Sequence, residues 1–116
     1  MRYNDPMKIL TPDHKYELEN FENKEAPGQV IQFIQKEQIT KEPGSDAVVD
    51  KLVTVFDGTT NEEVIKMLMD RLNGLQAKFP CRENAIATTH LETALLWLEK
   101  RTAERTARGV EGKHLK

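Results

Sequence analysis

Between Pro80 and Gly109, the residues Asn84, Ala87, Leu91, Ala94, Leu98, Arg101 and Arg105 recur at intervals of 3-4-3-4-3-4. Residues three and four apart return to one side of an α-helix, so this is the spacing of a packing seam. It predicts a single long amphipathic helix beginning near Cys81 or Arg82 and running to about Arg108, where Gly109 offers the left-handed conformation that closes many helices. Such a helix needs a partner for its stripe. Ala87 and Ala94 let that partner approach closely, while the two ends of the seam, Asn84 on one side and Arg101 with Arg105 on the other, are polar.

The partner is legible just upstream. Thr60-Asn-Glu-Glu63 has the form of a capping box, in which a hydroxyl and a carboxylate each satisfy a free N–H of the first turn, so a helix starts near Asn61. Val64, Ile65, Leu68, Leu72 and Leu75 supply its apolar face, and Asn73-Gly74 weakens its final turn. Pro80 lacks an N–H and restricts Phe79, which ends this helix. Two helices joined by so short a break fold back as an antiparallel hairpin.

The front half reads as β structure. Alternation over 15–21 suits a half-buried strand, Pro27-Gly28 marks a turn, and Gln29 to Ile39 is rich in β-branched and aromatic residues. Lys41-Glu-Pro43-Gly44-Ser-Asp46 breaks that run, and Val48 to Phe56 resumes it until Asp57-Gly58. The expected class is therefore α+β, an N-terminal antiparallel β-meander of about three strands followed by a C-terminal antiparallel two-helix hairpin. Residues 1–14 read as a flexible arm. Residues 15–116 form a single domain, divided into a β-ribbon (15–57), the helical hairpin (60–108) and a tail (109–116).

Composition narrows the function. The chain has 116 residues, 38% of them hydrophobic and 31% charged, enough for a small core that is completed by oligomerising. No run approaches the ~20 apolar residues of a bilayer span, and Met1-Arg-Tyr-Asn-Asp-Pro6 has no apolar leader core. A soluble, intracellular protein with no membrane partner is expected. The single cysteine, Cys81, excludes an internal disulfide framework. A net charge of −2 argues against a general DNA or RNA binder, yet residues 97–116 hold 6 Lys and Arg against 3 Asp and Glu. An anion is expected near that segment.

Catalytic and metal chemistry find no foothold. His14, His90 and His114 lack paired ligand spacing, Cys81 has no base partner, no carboxylate pair stands out as acid and base, and there is no Gly-rich phosphate loop. We expect no enzyme activity, no cofactor and no metal. What remains is the pair of polar seam ends. A seam often turns polar simply where it leaves the core, but the functional reading has a geometric consequence. Asn84 and Arg101 are 17 residues apart, roughly 25 Å along one helix. One small ligand cannot touch both in one chain. Two such helices paired antiparallel bring Asn84 of one to Arg101 and Arg105 of the other, and two-fold symmetry makes two identical pockets. Arginine clamps phosphates and stacks on bases, and asparagine reads a base edge or ribose hydroxyl. Leu75, Lys78 and Phe79 at the bend offer an apolar surface beside a cation for a purine ring, and Arg108 adds charge in the tail.

Thr60-Asn-Glu-Glu-Val64, Asp70-Arg-Leu72, Lys78-Phe-Pro-Cys-Arg-Glu-Asn84, His90-Leu-Glu-Thr-Ala-Leu95, Lys100-Arg-Thr102 and Arg105-Thr-Ala-Arg-Gly-Val-Glu-Gly112, in that order, resemble the helical-hairpin domain shared by phage Thoeris anti-defence and anti-CBASS proteins. The resemblance covers about residues 59–114. It implies a non-catalytic sponge that sequesters the nucleotide second messengers of bacterial immunity, glycocyclic ADP-ribose in the Thoeris branch and cyclic di- and trinucleotides in the anti-CBASS branch. It further implies a homodimer able to assemble into a hexamer, acting in the cytoplasm of an infected bacterial host. The β-ribbon ahead of the hairpin is closer to the Thoeris branch. Carried over by position, Asn84, Arg101 and Arg105 match residues lining the ADP-ribose-type pocket, whereas Leu75 falls where that branch places an aromatic base-stacking residue, with Phe79 as its substitute. The front half matches no motif that would assign a second, cyclic-oligonucleotide site. The alternative from another class is a non-enzymatic oligomerisation or protein-interaction module, whose hairpin dimerises and presents a basic tail to an acidic partner.

Overall fold

The computed structural model describes residues 7–41, 44 and 48–107. Residues 1–6 of the expected arm, most of the turn around Pro43, the predicted helix end at Arg108 and Gly109, and the tail lie outside the described residues. The described elements are, in order, β1 (Lys8–Thr11), β2 (Lys15–Leu18), β3 (Gln29–Gln32), β4 (Gln35–Lys41), β5 (Val48–Phe56), α1 (Asn61–Lys78) and α2 (Arg82–Ala107). The α+β class with a C-terminal helical hairpin is what the chain adopts. By its contacts the chain divides into two compact units, residues 1–37 with 53–59, and residues 38–52 with 60–116.

The strands are allocated differently from the simple alternation pattern. The antiparallel meander is β1-β2-β3, while β4 and β5 form a separate two-stranded sheet. Lys8–Thr11, inside the stretch expected to be an arm, pairs with β2, with Ile9 opposite Tyr16 and Tyr16 opposite Ile31. That cross-strand row gives the small sheet its apolar face, extended by the Phe33 ring, which meets Tyr16 edge-on at 6.0 Å. Strand β2 stops at Leu18, short of the predicted Phe21. The reason is Asn20, whose side-chain amide donates to the carbonyls of Asn23 at 3.2 Å and Pro27 at 3.0 Å, turning the backbone out of the ladder.

The run from Gln29 to Ile39 is two strands and not one. At Phe33 and Ile34 the backbone changes partners. Phe33 N–H donates to the His14 carbonyl at 2.7 Å and Ile34 N–H donates to the Thr59 carbonyl at 2.9 Å. Thr59 N–H in turn donates to the Gln32 carbonyl at 2.9 Å. This crossing requires Gly58, because a Cβ there would run into the Gln32 carbonyl oxygen.

In the second unit α1 and α2 pack against each other. Thr60 caps α1 as expected, its hydroxyl accepting from Glu63 N–H at 3.2 Å. The reciprocal arm of the capping box is directed elsewhere, for the Glu63 carboxylate lies 3.7 Å from Lys66 Nζ. Despite Asn73-Gly74, the helix continues unbroken to Lys78. The side of α1 that loses solvent is Glu62, Ile65, Met69, Leu72 and Gln76, flanked by Val64 and Leu75, whereas Leu68 stays exposed. On α2 it is Asn84, Thr88, Leu91, Leu95, Leu98, Thr102 and Arg105, together with Ala87 and Ala94. No apolar side chain among the described residues is fully buried, and Leu96 and Trp97 remain 66% and 65% exposed. One hairpin covers only part of its own apolar surface. No described helix is long and apolar enough to cross a membrane.

Candidate functional site

The polar residues of interest lie at the two ends of the hairpin, and helix continuity keeps them apart. Helix α2 runs without interruption from Arg82 to Ala107, so Asn84 and Arg101 are separated by the full helical rise, roughly 25 Å. Within one chain Asn84 and the arginine pair do not meet.

At the bend, Leu75, Lys78, Phe79 and Asn84 are gathered within a few residues of backbone. Phe79 N–H donates to the Leu75 carbonyl at 2.7 Å, closing the last turn of α1, and leaves the Phe79 ring 76% exposed. Lys78 is exposed, and Leu75 and Asn84 are half-buried. Gln76, which the sequence did not single out, organises this end together with Cys81. The Gln76 side-chain amide accepts from Cys81 N–H and donates to the Cys81 carbonyl, both at 3.0 Å. Cys81 is also the cap of α2, its Sγ accepting from Asn84 N–H at 3.4 Å, which is the position a serine or aspartate oxygen usually fills. Thr88 hydroxyl then donates to the Asn84 carbonyl at 2.9 Å. The backbone of Asn84 is thus held on both its N–H and its C=O.

At the opposite end the two arginines part company. Arg101 is exposed, whereas Arg105 is 8% exposed and has an interaction partner in the protein. Between them in sequence, Thr102 hydroxyl donates to Glu62 Oε2 on α1 at 3.3 Å, tying the two helices together across 40 residues of chain. The strict seam anticipated Arg101 on the packed side. The structure places Thr102 there, because positions 98, 102 and 105 continue the stripe as well as 98, 101 and 105 do, and one residue shifts a helical side chain by about 100°. Arg108, the last predicted contributor, lies outside the described residues.

Sequence reasoning passed over Glu62, Gln76 and Thr102. A signal for the first two was present: Glu62, Ile65, Met69, Leu72 and Gln76 are spaced 3-4-3-4, so α1 also carries a seam with polar ends. Outside this unit, the exposed face around Lys8, Glu17, Glu19 and Lys24 forms a shallow charged depression on the meander.

A protein family described as Acb2/Tad1, hairpin domain, matches residues 37–103, which takes in both helices except the last residues of α2. The chain is also similar to Thoeris anti-defense 1 of Bacillus phage SBSphiJ7, with 57% identity over 61 residues. That match covers 52% of this chain and 43% of the phage protein, so the chain spans less than half of its relative's length. With more than half of its residues inside the family's match, and with the two helices folded as the hairpin that the description names, the chain belongs to the Acb2/Tad1 hairpin family.

Proposed function

We propose that this protein is a phage anti-defence sponge: it binds a nucleotide second messenger of bacterial immunity and holds it without cleaving it. The anti-defence part of this reading is supported by the likeness to Thoeris anti-defense 1. The mechanism rests on one observation, the unbroken helix that holds Asn84 and Arg101 at opposite ends of the hairpin.

The messenger is glycocyclic ADP-ribose, with cyclic di- and trinucleotides as the second class, and the pocket is composite. Arg101 and Arg105 of one copy and Asn84 of another flank the ligand, the guanidinium groups clamping phosphate oxygens as planar forks. Phe79 and Lys78 stand beside Asn84 as an exposed ring and a cation, fit for a base that carries phosphates. Pairing also answers the packing shortfall, because apolar surface that a lone hairpin leaves wet is covered in a dimer. Homodimers built this way can associate further into a hexamer. The site of action is the cytoplasm of the infected host, where the signal accumulates, and protection follows mass action between pockets and messenger.

The test is recovery of the ligand. The protein is incubated with glycocyclic ADP-ribose or a cyclic dinucleotide, separated from free ligand and denatured. Intact messenger in the released fraction is expected; a cleaved product overturns the sponge reading in favour of an enzyme. The second reading, a protein-interaction module, draws on exposed Leu96 and Trp97. It predicts no rise in melting temperature with any nucleotide, whereas a ligand that selects the folded state must raise it.

A further inference from the structure

The bend between α1 and α2 has almost nothing packed around it. Residues 77–83 are all exposed, and Pro80 contributes no N–H. A bare three-residue link between helices ordinarily samples several conformations, since ordering each residue loses conformational entropy. Here one side chain supplies what packing does not. Gln76 grips both backbone polar groups of Cys81, accepting from its N–H and donating to its carbonyl at 3.0 Å each. The arrangement mimics the pair of hydrogen bonds exchanged by two residues opposed on antiparallel strands, and it uses both halves of the amide.

Cys81 is the residue whose sulfur receives Asn84 N–H, and Phe79 is held to Leu75 on the other side of the proline. Fixing Cys81 relative to α1 therefore fixes the start of α2, and with it where the backbone of Asn84 stands relative to that of Phe79. We infer that Gln76 is a positioning residue for the base-facing half of the ligand site, preorganising Phe79 and Asn84 without touching the ligand. This rests on the pocket proposed above. A site ordered before binding loses less freedom on binding, which is how such a residue raises affinity.

The inference separates Gln76 from a merely structural residue by which ligand feels its loss. Glycocyclic ADP-ribose spans both halves of the site, while inorganic pyrophosphate reaches only the arginine end. In Gln76→Ala, affinity for glycocyclic ADP-ribose falls about tenfold, the scale of one or two lost neutral hydrogen bonds, while affinity for pyrophosphate is unchanged. Gln76→Glu, which keeps the acceptor for Cys81 N–H and loses the donor, gives an intermediate affinity. Arg101→Ala weakens both ligands. Equal losses for both ligands in Gln76→Ala, or no loss for either, overturn the inference.

A ligand-free measurement keeps the clamp and the sponge distinguishable. Amide hydrogen exchange in Gln76→Ala accelerates at Cys81 and Asn84 and stays unchanged from Leu91 to Leu98. Unchanged exchange at Cys81 and Asn84 refutes the clamp itself. Wild-type protein that binds neither glycocyclic ADP-ribose nor cyclic di- and trinucleotides, with the exchange result as expected, refutes the sponge reading and Gln76's role in it, and leaves Gln76 as a bend clamp only.

Discussion

Arg101→Ala and Arg105→Ala are expected to behave alike toward ligand and differently toward heat. Arg105 is 8% exposed and engaged within the protein, whereas Arg101 is exposed. Truncating Arg105 removes the packing of its long side chain and the interaction it makes within the protein, at a cost of about 2–3 kcal/mol. For a chain of this size about 1 kcal/mol moves the melting temperature by roughly 4 °C, so Arg105→Ala melts about 10 °C lower. Arg101→Ala is a surface change within about 0.5 kcal/mol, a shift of about 2 °C or less. Ligand adds a second readout. At a messenger concentration about 100 times its Kd, the wild type gains ~2.7 kcal/mol, near 10 °C by the same conversion, and both variants lose most of that gain. Differential scanning fluorimetry with and without glycocyclic ADP-ribose measures all four quantities. If Arg101→Ala destabilises the free protein as much as Arg105→Ala does, the packed stripe has been put on the wrong residues. If both variants keep the ligand-induced rise, the arginine end is not part of the pocket.

Two further substitutions probe the scaffold. Among the described residues nothing outside α1's own backbone lies within 4 Å of a Cβ added at Gly74, so Gly74→Ala should stabilise α1 by about 0.5–1 kcal/mol in urea unfolding; unchanged or lower stability would refute the open space at that position. Gly58→Ala must push against the Gln32 carbonyl, and a stability loss of about 1–3 kcal/mol is expected, together with faster exchange at the Ile34 and Thr59 amides. Unchanged stability in Gly58→Ala would refute the close crossing of the two backbones.

The hairpin was legible because its signals are local. Thr60 announces α1, Pro80 ends it, and the 3-4 recurrence from Asn84 runs through a single helix that starts at Arg82, as expected, and continues to Ala107 within the described residues, since each backbone bond of a helix reaches only four residues away. The distance between Asn84 and the arginines follows from the same arithmetic, because one unbroken helix carries both. The resemblance drawn from the hairpin motifs agrees with the family that matches residues 37–103.

Three things needed the folded chain. The alternation of residues 29–39 has no mark that Phe33 and Ile34 change partners, because those partners, His14 and Thr59, are distant in sequence and a strand's bonds are all to other segments. The choice of Thr102 over Arg101 for the packed side depends on how α1 lies against α2, since both continue the stripe and only contact with Glu62 separates them. The grip of Gln76 on Cys81 exists only once the chain has turned at Pro80, when a polar side chain four residues before the break meets the backbone just after it. Periodicity along the chain thus determined which elements form and where their polar ends stand. The pairing of segments in space decided which of two neighbouring arginines is buried, and what holds the bend in shape.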